Sequence, residues 1–224
     1  MSWRLNSPRY LRANYPLNNN ALDLIGGNDG TWAGATEAYR DNAYGKKMGD
    51  FNGTTSLVTV TNNSIVQDLF NGGAAISCLV NADSDGEGNS GRFCQKNNEF
   101  FMYVASEAAE KMEVGFYHYF SGAGGQWSTT ATELVVGTPT LVVLTYDSSA
   151  VGNDPIIYVN DKLTALTEDV TPSGTADNDT TDLIIGNRAD VAKTFDGGIG
   201  SMRIYKNMIM TWDEAIALRR METQ

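Results

Sequence analysis

Tyr117 and Tyr119 stand in a segment, Lys111 to Phe120, whose residues alternate by type. Met112, Val114, Phe116, His118 and Phe120 fall on one side, and Glu113, Gly115, Tyr117 and Tyr119 on the other. A strand with that period buries the first set and leaves both phenols on the opposite face. Two such rings make a platform for the apolar side of a pyranose, whose hydroxyls then need planar polar partners. Trp127 follows in a glycine-rich stretch that reads as a loop and would extend the stack. Arg92, Asn98, Asn187 and Arg188 are the candidates for hydrogen bonding. The plainer alternative is that the tyrosines only cover the back of a sheet.

A second chemistry is suggested by Asp83-Ser84-Asp85-Gly86-Glu87-Gly88-Asn89, where acidic side chains alternate around glycines as in the start of a calcium loop. The twelfth position, which supplies a bidentate glutamate in an EF-hand, is Cys94, so Asp83, Asp85 and Glu87 are at most a structural site of another kind. Two further acid sets are alternatives for a structural calcium: Asp29 with Asp196, and Asp177 with Asp179 and Asp182. His118 is the only histidine, and its place among Phe116 and Phe120 predicts a buried, hydrogen-bonded ring rather than a general base. With one histidine and two cysteines, zinc chemistry has no ligand set. Cys78 and Cys94 flank the acidic loop almost symmetrically; a hairpin would set them opposite one another, but free thiols are the expectation for two cysteines in a chain of this size.

The balance of charge narrows the partners. A net charge of −11 opposes attraction to nucleic acid or to an anionic membrane. No run approaches the roughly 18 apolar residues of a membrane span, and the N-terminus lacks the apolar core of a signal peptide. A soluble chain is therefore expected, one not exported by the usual route. Residues 1–14 carry Arg4, Arg9 and Arg12 and no acid, which reads as a basic arm with an assembly partner or as a loosely ordered terminus.

Elements that would position these groups are mostly strands. Short β-branched or aromatic runs are separated by Gly, Asn and Asp: 56–60, 74–82, 92–96, 99–105, 111–120, 132–136, 141–146, 155–159, 162–165 and 182–186. Segment 141–146 is nearly all apolar, as in a central strand covered on both faces. Asn160-Asp161 suits a type I′ hairpin turn. Residues 168–182 are polar and turn-rich and read as a long surface loop, and 45–49 as a turn cluster. Segment 195–205 opens on glycines and runs into an alternating strand. Thr211 and Glu214 then form a capping-box pattern before a short helix. Trp32 and Trp212 are expected in the core. The sum is an all-β, two-sheet antiparallel sandwich in one domain, residues 15–224.

The ordered set Asn28-Asp29-Gly30-Thr31, Gly49-Asp50-Phe51-Asn52-Gly53-Thr54, Leu144-Thr145-Tyr146-Asp147, Tyr158-Val159-Asn160, Leu183-Ile184-Ile185-Gly186 and Phe195-Asp196-Gly197 with Arg203-Ile204-Tyr205 resembles the laminin-G-like, concanavalin A-like lectin/glucanase jelly rolls. The resemblance implies two packed sheets, one concave, binding carbohydrate or protein on that face or at a loop-bearing rim, often beside a structural calcium. Gly200 stands where the family usually has an acid, and Pro139-Thr140 where many members carry a tryptophan. Hydrolases of this fold use a Glu-x-Asp-x-x-Glu pattern, absent here; Glu107 and Glu110 fall in 106–111, which reads as a turn. The function expected is a lectin-like domain that binds a glycan or glycosylated surface without altering it and requires no cofactor. A structural or adhesion protein of a bacteriophage particle is the alternative, and a polysaccharide hydrolase or lyase the remaining one. A virion or an extracellular surface would be its location.

Overall fold

The computed structural model describes residues 3–131 and 133–224. Two antiparallel sheets pack face to face. In chain order the strands are β1 (Leu11–Tyr15), β2 (Gly30–Ala33), β3 (Tyr39–Asp41), β4 (Lys47–Asn52), β5 (Leu57–Val60), β6 (Ala74–Ala82), β7 (Arg92–Lys96), β8 (Phe100–Ala108) and β9 (Lys111–His118). They continue as β10 (Gly125–Thr129), β11 (Leu134–Val135), β12 (Thr140–Tyr146), β13 (Ile156–Val159), β14 (Lys162–Leu163), β15 (Leu166–Val170), β16 (Leu183–Ile185) and β17 (Asp196–Lys206), and helix α1 spans Trp212–Glu222. One sheet has eight strands in the order β14-β13-β12-β6-β17-β4-β3, with β1 also paired to β17. The other has nine, β15-β10-β9-β8-β7-β16-β5-β2, with β11 paired to β9.

Between the sheets lies one apolar core. The alternation predicted for 111–120 holds: Met112, Val114, Phe116, His118 and Phe120 are all buried. Phe70 meets Phe100 and Phe116 edge to face at centroid distances of 4.9 and 5.5 Å. Burying each such ring contributes about 1.5–3 kcal/mol. β12 is buried along its whole length between β6 and β13, as its apolar run requires. A second apolar cluster, including Leu5, Leu11, Tyr205, Met208, Met210, Ala215 and Leu218, covers the outer face of the eight-stranded sheet. Helix α1 sits there, its N-terminus closed by the Thr211/Glu214 capping box and its C-terminal Glu222 ion-paired with Arg203.

Several expectations change. Residues 11–14 are not part of an arm: β1 pairs with β17 from Leu11 to Tyr15, and Leu5 and Leu11 are buried. Segment 92–96 is not the hairpin partner of 74–82. β6 and β7 belong to opposite sheets, so Cys78 and Cys94 are both free and buried, on strands that do not pair. The polar stretch from Leu166 to Val170 is strand β15, zipped onto β10, rather than loop. Residues 47–52 form β4, and the turn cluster ends earlier. Trp212 is 54% exposed rather than core, its indole N–H donating to the Asp161 carbonyl at 2.7 Å. Trp32 does pack against the core, stacked on Phe51. Glu107 is on β8, and its side chain lies outside the described residues, as does Thr132, the start of the expected strand 132–136; Glu110 is in the two-residue turn with positive φ.

His118 is 1% exposed and its Nδ1 lies 2.8 Å from the Tyr119 carbonyl, so the neutral ring donates there. Burial pushes its pKa down to about 4, against 6.5 for an ordinary histidine. The folded state therefore resists a proton that the unfolded state takes up below pH 6.5. Stability from this group is full above that pH, is lost as pH falls to about 4, and changes no further once both states are protonated. The loss is about 3 kcal/mol. In urea unfolding at pH 7 and pH 4, the stability gap between the wild type and His118→Phe is expected to shift by that amount in the variant's favour; a gap independent of pH would contradict it.

Candidate functional site

Because helix α1 and the N-terminal segment cover one sheet, the open outer surface of the other is where side chains meet solvent in register. Across it, the row Gln126, Tyr117, Phe101, Gln95, Ile184 and Thr59 follows directly from the pairing of β10, β9, β8, β7, β16 and β5. The next row sets Arg92 opposite Tyr103 and Tyr103 opposite Gly115.

The result is a cluster of four aromatic rings. Phe101 and Tyr117 stack with an interplanar angle of 1° and centroids 4.9 Å apart. Tyr119 meets Tyr117 edge to face at 4.8 Å, and Tyr103 meets Phe101 at 5.3 Å. Tyr103 is further held by Gln126, whose amide donates to its hydroxyl at 2.9 Å. Two glycines make the geometry attainable. A Cβ at Gly115 would stand 2.3 Å from the Tyr103 ring, and one at Gly124 would stand 2.0 Å from the Tyr117 hydroxyl. Both rings lie over bare backbone.

Beside the rings runs a trough. A depression of about 370 Å³ is lined by Gln95, Asn97, Tyr119, Arg188, Ala189 and Asp190. A second, of about 510 Å³, shares Asn97 and Ala189 with it and continues over Thr59, Ile184 and Leu57 to the wall formed by 180–182. Amide, hydroxyl and guanidinium groups thus stand next to an aromatic surface, which is the combination a sugar ring needs.

The sequence candidates fall into three groups. Tyr117, Tyr119, Arg92 and Arg188 come together on this face, and Asn98 stands exposed at its margin, its amide donating to Asp179 at 3.0 Å. Asn187 does not contribute a contact surface. It is fully buried, its amide N–H groups donating to the Ser56 carbonyl and the Thr194 hydroxyl and its Oδ1 accepting from the backbone N–H of Arg188 and Lys193. It shapes the loop that carries Arg188. Trp127 is corrected outright: it lies on β10, not in a loop, points inward onto Phe116 at 1% exposure, and donates to Asp154 at 3.2 Å. Phe101, Tyr103, Gln95 and Gln126 were missed. Their signal was the alternation Phe101, Tyr103 in a strand whose facing could be set only by knowing that β8 pairs with β9.

Among the described residues most carboxylates of the acid sets are engaged elsewhere, Asp85 and Asp177 excepted. Asp83 accepts both guanidinium nitrogens of Arg40, at 2.9 and 2.6 Å. Glu87 accepts from the Thr194 N–H and hydroxyl, Asp196 from Ser84, Asp29 from the Asp23 N–H, Asp179 from Asn98 and Thr181, and Asp182 from the Asn62 N–H. Among the described residues no three His, Cys, Asp or Glu side chains come together as a metal-holding group. No described helix is long and apolar enough to cross a membrane.

Solved structures share this architecture. Domain 4 of AbnA, a GH43 extracellular arabinanase from Geobacillus stearothermophilus, solved in complex with arabinotriose, is 19% identical and superposes with a TM-score of 0.67 over 93% of this chain and 98% of its own. The binding domain of Paraclostridial Mosquitocidal Protein 1 gives a TM-score of 0.71 at 14% identity, over 96% of this chain and 52% of its own. The binding domain of botulinum neurotoxin DC, solved with rat synaptotagmin II, gives 0.63 at 13% identity, again over 96% and 52%. The chain thus spans about half the length of these two toxin binding domains, and at such identities the likeness is one of fold. No curated protein matches the sequence. The profile of one family matches residues 52–214, and with the two-sheet fold it shows that the chain belongs to the Laminin_G_3 family of the concanavalin A-like lectin/glucanases superfamily.

Proposed function

We propose that this chain is a non-catalytic carbohydrate-binding domain and that its glycan lies along the open face of the nine-stranded sheet. The observation that carries the proposal is the solvent-facing aromatic cluster of Phe101, Tyr117 and Tyr119 running directly into a polar trough. Such rings gain little from covering water-exposed backbone; they gain more when the apolar face of a sugar excludes that water. Gln95, Asn97 and Arg188 then supply planar groups to the hydroxyls. The arabinotriose complex of the arabinanase domain supports a saccharide as ligand of a chain with this fold. The site offers stacking and hydrogen bonding, and nothing in its lining pairs a nucleophile with a base.

Binding in this proposal is independent of calcium. The carboxylates of Asp83 and Glu87 are satisfied by Arg40 and Thr194, and of the two acids lining the trough Asp190 pairs with Arg188 and Asp182 accepts from the Asn62 N–H.

The test is a glycan-array screen followed by titration of the best saccharide. Tyr117→Ala and Tyr119→Ala are each expected to weaken binding roughly tenfold, the equivalent of about 1.4 kcal/mol. Gly115→Ala, which forces Tyr103 off its seat, should weaken it less while leaving the fold intact by circular dichroism. Silence of the wild type across the array would end the proposal. Chelation with EDTA should leave affinity unchanged; a loss restored by added calcium would refute the calcium-free form of the site.

A further inference from the structure

We infer that the saccharide taken by this face is anionic, and that Arg92 is the residue that recognises its carboxylate. The inference rests on the glycan-binding proposal and narrows it to acidic sugars.

Arg92 is 6% exposed, yet among the described residues it forms no ion pair. Its guanidinium carbon lies 3.7 Å from the Phe101 ring centroid and 4.9 Å from that of Tyr103, so the cation is sandwiched into the aromatic cluster. Its one protein hydrogen-bond acceptor is the Ser90 hydroxyl, 3.0 Å from Nη1, and Nε is buried without a partner. Withdrawing a cation from water without a counter-ion is costly, and cation–π contact offsets part of that cost but not its charge. Elsewhere this chain neutralises such groups: Lys96, fully buried, pairs with Glu99 at 2.9 Å, and Arg203 pairs with Glu222. With 27 acids against 16 Lys and Arg, a partner was not scarce.

The groups around it point to where the missing anion comes from. Phe101, Tyr103 and Tyr119 are aromatic, and Arg188, which acts on Arg92 electrostatically, is of the same sign. Burial lowers the Arg92 pKa to about 10, so it remains a cation at neutral pH. Tyr119 and Arg188, both near enough to act on Arg92 electrostatically, also line the trough. Arg188 is committed only to Asp190, an exposed neighbour two residues away, at 2.6 and 2.7 Å. With Nη1 held by Ser90 and Nε buried, Nη2 is the nitrogen of Arg92 left to donate to a carboxylate brought by the ligand. A uronic or sialic acid stacked on Tyr117 and Tyr119 would bring its acid group to this nitrogen. Arg188 would then have a second anion to serve.

The experiment compares matched saccharides on the intact chain by titration calorimetry: trigalacturonate against its carboxyl-reduced trimer, and sialyllactose against lactose, with an array holding neutral, carboxylated and sulfated glycans alongside. At least one acidic member is expected to bind ten times or more tighter than its neutral counterpart. The advantage should shrink as salt rises from 50 to 500 mM and vanish in Arg92→Met. Removing an unpaired buried cation, that substitution should leave the melting temperature unchanged or raised; if it nonetheless fails to fold, Arg188→Gln and the salt dependence of the wild type decide. Neutral glycans binding as tightly as their acidic partners, or a strict preference for sulfate over carboxylate, would overturn the inference while leaving the glycan-binding proposal standing. No binding to any saccharide would instead remove that proposal, and this inference with it.

Discussion

Strand β17 is buried on both faces, and the placement of every other layer follows from that. It pairs with β6 along most of its length, with β4 at its start and with β1 towards its end. Met202 and Ile204 point into the space between the sheets, whereas Tyr205 belongs to the cluster on the far side. A strand with apolar residues on both faces needs two covers. The second sheet is one; the N-terminal segment and helix α1 are the other. A β-sandwich offers two outer faces, and here one is consumed by the fold itself. What remains exposed in register is the back of the nine-stranded sheet.

That remaining face departs from the usual polar exterior of a sandwich. Aromatic rings stand on two adjacent strands, β8 and β9, and on the turn after β9, with neighbouring centroids 4.8 to 5.3 Å apart. The bare backbone at Gly115 and Gly124 makes room for the rings of Tyr103 and Tyr117, at the expense of strand propensity at Gly115. Asn187 does not contact solvent at all, yet its four hydrogen bonds set the loop that brings Arg188 to the trough.

The period-two alternation of 111–120 was legible without coordinates because a strand with one buried face prints its facing in residue type. Met112 to Phe120 therefore predicted the outward tyrosines correctly. Trp127 was misplaced for the complementary reason. Gly124 and Gly125 look like loop punctuation, but they are glycines because Tyr117 and Trp127 need their space, a demand that arises between neighbouring strands and leaves no local trace. β15 escaped notice because Leu166 to Val170 is mostly exposed and polar, an edge strand held by its ladder to β10 rather than by burial. Residues 11–14 looked like an arm by charge, yet Leu11 and Ala13 supply the inward alternation of a short strand. Trp212 looked like core by size, but the helix turns Ala215 and Leu218 inward and leaves the indole over Asp161.

The charge distribution sets how such a site must work. The molecule carries −11 overall, so at distance it repels an acidic glycan, and attraction begins only within about 8–10 Å, the screening length at physiological salt. In the proposed site, recognition by Arg92 would accordingly be a contact interaction and not a steering field. Long-range steering raises association rates, whereas a contact made at a nearly buried cation acts after the ligand has docked and slows its escape. Contact with Phe101 and Tyr103 offsets part of the cost of burying the cation, and among the described residues it is left without an ion pair. A ligand that brings both a ring face to stack and an acid to pair satisfies in one event the two groups that the fold leaves open.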